Sequence, residues 1–341
     1  MKENDRYSRQ ILFSGIGEEG QRRLLASRVL IVGCGALGSA QAESLARAGV
    51  GRLRIADRDF IEYSNLQRQT MFTESDADNR LPKAVACAHH LRQINSDIEV
   101  EANVTDVNHS NVERLIENCD LVLDGTDNFA TRYLINDACV KQYVNWIYGA
   151  AVGSYGVTMT IRPGETPCLR CMFAETPPAA NAPTCDTNGV IMSIISVVAA
   201  LQVTEALKLL TYQTDGLHNS LMQIDMWRNQ WRQIRLAQPA PDCPTCGLRR
   251  FETLEPEAAE FAAVLCGRRA VQISPAQPTR VDLVALSEKL ARLGSVKAND
   301  YLLRFDAGDY ELTVFQDARS IIRGTNDLTT ARSLYAKYVG N

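Results

Sequence analysis

The chain has 341 residues, 45% apolar and 22% charged, ordinary values for a soluble globular protein, and its length calls for one large domain with a small companion. Its formal net charge of -4 argues against nucleic acid as the main partner, which would favour a basic face. The opening Met1-Lys-Glu-Asn-Asp-Arg6 is charged and lacks an apolar h-region, so no secretory signal is expected and the chain reads as cytoplasmic.

Arg28-Val-Leu-Ile-Val-Gly33 is a short β-branched run ending in glycine and reads as a buried parallel strand. A helix from Ala36 to about Ala48 follows, closed by Gly49 and Gly51, and then a strand over Arg52–Asp57. The alternation continues: helix from Pro82 to about Ile94, strand Ile98–Glu101, helix Asn111–Asn118, strand Asp120–Asp124, helix 131–141 and strand Trp146–Gly149. Strands alternating with helices predict an α/β fold with a doubly wound, Rossmann-like, mostly parallel sheet. From Gly156 the pattern changes to a strand over Val157–Arg162, a turn at Pro163-Gly164 and a Pro-, Ala- and Thr-rich loop over 174–188. The apolar stretch Val190–Leu210 contains Gln202, Glu205 and Lys208, so the helix expected over 189–210 reads as a core or interface helix rather than a membrane span. Strands near Leu221–Met226 and Trp231–Leu236 close the larger domain near residue 250. The remainder is expected to be a small α+β domain of helix 281–293, three short strands (Tyr301–Phe305, Tyr310–Phe315, Ser320–Gly324) and helix 327–338.

Gly33-Cys-Gly-Ala-Leu-Gly38 sits between a strand and a helix, where a glycine turn lets a phosphate or ribose approach backbone N–H groups. Asp57, ending the next strand, is placed to accept from ribose hydroxyls. Up to here the sequence reads equally as an NAD(P)-dependent oxidoreductase. Beyond it, Tyr63-Ser-Asn65-Leu-Gln-Arg68-Gln69 brings amides and a guanidinium, and Lys83 opens the next helix. Converging cations suit a triphosphate better than a nicotinamide ring, although each feature alone also reads as a solvated surface. Asp124-Gly-Thr-Asp127-Asn128 places two carboxylates at the C-terminal end of a buried strand, where one can hold hydrated Mg2+ and where Asp127 or Asn128 can cap the next helix.

Four of the ten cysteines form two Cys-x-x-Cys pairs, Cys168/Cys171 and Cys243/Cys246, the spacing of a closed tetrahedral zinc site that is structural rather than catalytic. Cys185 lies in the 174–188 loop just before a helix N-terminus, a setting that lowers a thiol pKa and gives access. Cys34, Cys87, Cys119 and Cys139 read as packing, and the four histidines as surface or core residues.

Arg6-Tyr-Ser-Arg9-Gln10, Gly33-x-Gly-Ala-Leu-Gly38, Asp57-x-Asp59, Asn65-Leu-Gln-Arg68-Gln69, Lys83, Thr126-Asp127-Asn128 and the cysteine pairs, taken together and in order over about residues 5–247, resemble the ThiF/MoeB adenylyltransferases, bacterial relatives of ubiquitin-activating enzymes. The resemblance implies a cytoplasmic homodimer that adenylates the C-terminal glycine of a ubiquitin-like sulfur carrier with ATP and Mg2+. Residues 1–250 would be the adenylyltransferase domain and 251–341 a small extension. Gly33, Gly35, Ala36, Gly38, Asp57, Asp59, Asn65, Gln69 and Asn128 would bind the nucleotide. Arg68 and Lys83 would hold phosphates, Asp127 the Mg2+, and Arg9 would reach the neighbouring subunit's ATP. Cys185 matches the cysteine that some members link to the activated carrier. A separate sulfur donor such as a cysteine desulfurase is implied, with ThiS, MoaD or the carrier of a specialised sulfur pathway as substrate and no nucleic acid or membrane partner. Two departures stand out: Asn79-Arg80 where a glycine often precedes the Pro-Lys, and Ala36 where some members have glycine. The extension's Cys266 is not set as in a rhodanese loop; the extension resembles the smaller one found on some ThiF-like proteins, which tilts the carrier towards ThiS. The rival classes are the oxidoreductase and a non-catalytic carrier-docking module.

Overall fold

The computed structural model describes residues 6–174, 188–255, 262–265, 269–275 and 279–340. The chain forms two compact units, Met1–Glu255 and Pro256–Asn341.

In the larger unit α1 (Ser8–Ile11) and α2 (Gly17–Ala26) lead into β1 (Arg28–Val32), α3 (Ala36–Ala48) and β2 (Arg52–Asp57). Next come α4 (Tyr63–Leu66), α5 (Glu74–Asp78), α6 (Lys83–Ile94), β3 (Glu99–Val104), α7 (Val112–Ile116) and β4 (Leu121–Asp124). The unit continues with α8 (Phe129–Gln142), β5 (Asn145–Val152), β6 (Tyr155–Ile161), α9 (Leu169–Met172), α10 (Met192–Leu210), β7 (Ser220–Asp225) and β8 (Gln230–Arg235). One eight-stranded sheet results, in the order β3-β2-β1-β4-β5-β6-β7-β8. β1 to β5 run parallel and β6 to β8 continue antiparallel. The period of two along β1 explains its continuous apolar run. Val29 and Ile31 enter one core with Leu45, Leu53, Ile55 and Leu91, while Leu30 and Val32 enter the other with Ile116, Val122 and Ile135.

Chain order leaves β1 towards β2 on one side and β4 on the other, so a crevice opens at the C-terminal ends of β1, β2 and β4. α3 enters from that crevice and stops where the sequence demands. Gly49 takes φ 82, and the N–H groups of Gly49 and Val50 return to the carbonyls of Ala46 and Leu45. α10 begins at Met192, three residues later than expected, and is long and apolar enough to span a membrane by composition, yet 56% of its most apolar window is buried in the fold. Its buried Glu205 is met by Lys208 at 2.7 Å and by the Thr160 hydroxyl at 3.1 Å.

The smaller unit corrects the expectation of three strands. β9 (Ala262–Leu265), β10 (Ala270–Ile273), α11 (Leu283–Leu290), β11 (Val296–Ala298), β12 (Leu302–Asp306), β13 (Glu311–Phe315), β14 (Ser320–Arg323) and α12 (Leu328–Tyr338) form a six-stranded antiparallel sheet, ordered β11-β12-β13-β14-β10-β9, with two helices. The strands missed in the sequence are three or four residues long, too short to show a period. Leu286, Leu290, Phe305, Leu312, Ile322 and Tyr335 close its core.

Candidate active site

The glycine turn joins β1 to α3 and is packed backbone against backbone. Gly33 holds φ 85, and a Cβ there would collide with the Gly125 carbonyl, as one on Gly38 would with the Gly33 carbonyl. Gly35 caps α3 without a side chain, and Ala36 opens its first turn, so the early N–H groups remain for an anion.

Asp57 anchors this turn from β2. Its carboxylate accepts from the N–H groups of Cys34 and Asp59, each at 2.6 Å. Burial pushes the Asp57 carboxyl above its usual range, and the Lys83 ammonium pulls it back. Lys83 is itself buried, its Nζ 3.4 Å from Asp59 and its N–H on the Asp59 carbonyl at 2.9 Å. Gln69 faces the same turn: its Nε2 lies 3.8 Å from where a Cβ on Gly35 would stand, and its buried Oε1 has no hydrogen-bond partner among the described residues. Such an orphaned acceptor fits a site meant to hold a polar ligand. The neighbouring Cys87 thiol and burial push the Cys34 thiol well above the ordinary range, which supports its reading as packing.

Two short helices, absent from the sequence reading, carry the next residues. Glu62 and Asn65 make a capping box around α4, so the Asn65 Oδ1 accepts from the Glu62 N–H at 3.0 Å and only its amide nitrogen is left to donate. Arg68, half-buried, rests one nitrogen on the Ser64 carbonyl at 2.8 Å. Thr73 and Asp76 box the start of α5 in the same way. At the departure from the family pattern, Arg80 takes φ 46, a conformation that favours glycine. Burial alone would raise the Asp76 carboxyl, but a 2.9 Å bond from His90 and those from Thr73 outweigh it and hold it low. A lowered carboxyl stabilises the fold above its unfolded pKa near 4, and the gain is lost as pH falls through the folded value. Asp76→Asn should therefore lower the melting temperature at pH 7 by a few degrees, for about 1 kcal/mol of capping. Thermal melts should show that gap closing below about pH 4; a gap unchanged at pH 3 would contradict the assignment.

At the end of β4 the two carboxylates diverge in role. Asp124 is fully buried, accepting from the Thr126 N–H (2.8 Å) and hydroxyl (2.7 Å) on one oxygen and from the Arg132 Nε (3.0 Å) on the other. Asp127 is exposed and has no hydrogen bond among the described residues. Asn128 caps α8 by accepting from the Thr131 N–H at 2.9 Å. Arg58, unnoticed in the sequence, pairs with Asp106 at 3.1 Å. Burial works against its charge, but Asp106, Asp59 and Asp127 outweigh it and raise its pKa. Asp59 and Asp127 therefore share the field of one guanidinium, which ties the β2 and β4 ends into one site.

Arg9 is not brought to this site. α1 is tethered at the far ends of α3 and α6: Gln10 donates to the Ala48 carbonyl at 2.8 Å, and Asn95 donates to the Tyr7 hydroxyl at 2.9 Å. The glycine turn and Lys83 lie at the opposite ends of those helices, about 18–20 Å away at 1.5 Å per residue. Arg9 is exposed and has no ion pair among the described residues. Cys185 lies outside the described residues.

The two cysteine pairs meet. All four sulfurs lie within 4.8 Å of one another, with Cys168–Cys243 at 3.6 Å, Cys168–Cys171 at 3.9 Å and Cys171–Cys246 at 3.3 Å. A tetrahedral Zn–S length of about 2.3 Å sets sulfurs about 3.8 Å apart, so the cluster is compatible with zinc. α8 supports both knuckles. Asn136 accepts from the Leu169 N–H at 2.8 Å, between Cys168 and Cys171, and Asp137 accepts from the Thr245 hydroxyl at 2.7 Å, between Cys243 and Cys246.

Residues 7–245 match the ThiF family. The chain belongs to the ThiF family. Membership sets aside the nicotinamide reading of the glycine turn. Among curated members, the Sulfur carrier protein ThiS adenylyltransferase of Bacillus subtilis is 46% identical over 337 residues, 98% of this chain and 99% of its own. The SAMP-activating enzyme E1 of Haloferax volcanii is 39% identical over 251 residues, 74% of this chain and 92% of its own. Of solved structures, E. coli MccB with ATP shares the ThiF-type fold, with a TM-score of 0.63 and 24% identity, covering 72% of this chain and 75% of that one.

Proposed function

We propose that this ThiF-family chain uses ATP to adenylate the C-terminal glycine carboxylate of a ubiquitin-like sulfur carrier of the ThiS type. The observation that carries this is the 46% identity with a ThiS adenylyltransferase over 98% of the chain, a span that takes in the smaller unit. In the reaction the carrier carboxylate attacks the α-phosphorus, the α–β anhydride bond breaks, pyrophosphate leaves and an acyl-adenylate forms. Such chemistry needs alignment and positive charge more than a proton carrier.

The Gly33–Gly38 turn and the N-terminus of α3 would receive phosphate oxygens, with Asp57 on the ribose hydroxyls, for which its two occupied oxygens keep lone pairs. Asn65 and Gln69 would donate to the nucleotide, and Arg68 and Lys83 would balance charge on the phosphates. Asp127 suits Mg2+, which takes one or two carboxylates and completes its shell with substrate phosphates and water. When bound, Mg2+ would neutralise charge developing on the departing pyrophosphate. The distance of Arg9 from its own site supports a homodimer in which each Arg9 serves the other copy. Zinc at Cys168, Cys171, Cys243 and Cys246 would be structural, since four protein ligands leave no open position. The Cys185 thiolate would attack the acyl-adenylate carbonyl, forming a thioester as the acyl–phosphate bond breaks and AMP leaves, before a donor such as a cysteine desulfurase supplies sulfur.

Mass spectrometry of ThiS and MoaD from the same organism, each incubated with the protein, ATP and Mg2+, tests this reading. An AMP adduct on ThiS is expected, reduced at least about 100-fold in rate by Asp127→Ala. An adduct on MoaD alone would move the assignment to molybdopterin synthesis, and none on either would refute it.

A further inference from the structure

We propose that Arg132 is a positioning residue for adenylation, holding the Thr126-Asp127 turn so that the Asp127 carboxylate meets the nucleotide-bound Mg2+ in one geometry. The inference rests on the functional reading above and concerns a residue to which that reading gives no role. Arg132 lies in the first turns of α8, 5% exposed, with a fully buried carboxylate as its partner. Its Nε donates to Asp124 at 3.0 Å; its Nη2 donates to the carbonyl of Thr126 at 2.7 Å and to that of Gly149 on β5 at 3.2 Å. The guanidinium sits 5.4 Å from the ring centres of both Phe129 and Tyr148, which leaves it little freedom to turn.

The contact with Thr126 is the telling one, because that carbonyl belongs to the peptide whose nitrogen is Asp127's. Arg132 thus grips the backbone next to the exposed carboxylate without touching the carboxylate's own coordination space. Asp124 is clamped from beneath too: Gln41 and Gln202 both donate to its carbonyl, at 2.9 and 3.1 Å. The end of β4 is therefore a fixed base, and Arg132 transmits that fixity to Asp127. An ion pair kept only for stability would not need this arrangement, since buried pairs exchange for apolar ones at little cost. Residues behind a metal ligand, by contrast, typically change metal affinity or activity about 10–100-fold.

Two full-length variants separate positioning from folding: Arg132→Lys, which keeps charge but cannot make the forked contact, and Asp124→Asn/Arg132→Met, which removes both buried charges together. Each is checked for zinc content and melting temperature. Mn2+ binding with a non-hydrolysable ATP analogue is then followed by electron paramagnetic resonance, and ATP–pyrophosphate exchange is measured against Mg2+ concentration. Wild-type zinc content is expected, with Mn2+ affinity weakened about tenfold or more, half-saturating Mg2+ raised by a similar factor, and metal-free ATP affinity within about twofold. Wild-type metal affinity in both folded variants would overturn the role of Arg132 alone, as would loss of fold in both, which would make the residue purely structural. A wild-type protein that adenylates neither ThiS nor MoaD would instead overturn the functional reading and this inference with it.

Discussion

Replacing Cys243 with serine is expected to empty the four-cysteine site of zinc and to destabilise the larger unit by on the order of 5 kcal/mol. The knuckles are 75 residues apart in sequence, and the sulfurs meet only through the fold. A structural zinc adds its binding free energy to the folded state alone, so its loss is felt as folding free energy. The damage should also travel. Asn136 and Asp137 on α8 hold the backbone and side chains between the cysteines, and the opening turn of the same helix carries Asn128 and Arg132. Metal analysis with thermal melts checks the first part, and hydrogen exchange along α8 the second. A Cys243→Ser protein with full zinc content and an unchanged melting temperature would refute both.

Lys83→Gln should lower the rate of adenylate formation by about 100- to 1,000-fold while leaving zinc content unchanged. Lys83 is the buried cation beside the glycine turn, and Asp57 depends on it. Burial raises the Asp57 carboxyl; its protonated form therefore favours folding below about pH 4, and that contribution is lost as pH rises through the folded pKa. Ionised Asp57 is thus a cost that the fold carries at neutral pH, offset by the Lys83 charge and by the N–H groups of Asp59 and Cys34. Without Lys83 the carboxyl rises further, so the acid limb of the pH–rate profile should move to higher pH. Pyrophosphate exchange over a pH series measures both effects; an acid limb that stays in place would show that Asp57 does not titrate in the reaction.

The centre of the parallel sheet could be read from sequence because β1 and β4 are continuous apolar runs closed by glycine and aspartate, in Arg28–Gly33 and Asp120–Asp124. That Cys168, Cys171, Cys243 and Cys246 meet was legible because Cys-x-x-Cys is itself a geometry. What escaped was set by contacts distant in sequence or by elements too short for a period. α4 and α5 did announce themselves, in the three-residue spacings Glu62–Asn65 and Thr73–Asp76, but a capping box without a following apolar stripe passes for a loop. Arg132 carried no signal, since an arginine near a helix start usually faces water; only the placement of Asp124 and Gly149 around it reveals its work. Of the two carboxylates closing β4, the residue pattern by itself could not tell which is spent inside the fold; only the family resemblance singled out Asp127. Burial answers: Asp124 is enclosed and Asp127 is not.

The meshing of Gly33, Gly38 and Gly125 has a consequence for how such a protein can diverge. Each of the three lies so close to another's backbone that a single methyl group would force two main chains apart. Drift in this turn, the proposed phosphate cradle, is therefore closed to one-step substitution, because compensation would have to arise in the neighbouring main chain at the same moment. Change near the turn has to enter through side chains around it, such as Arg58 and Asp106, whose pairing can be altered one residue at a time. Descendants of this chain would then change what they recognise long before they change where they hold it.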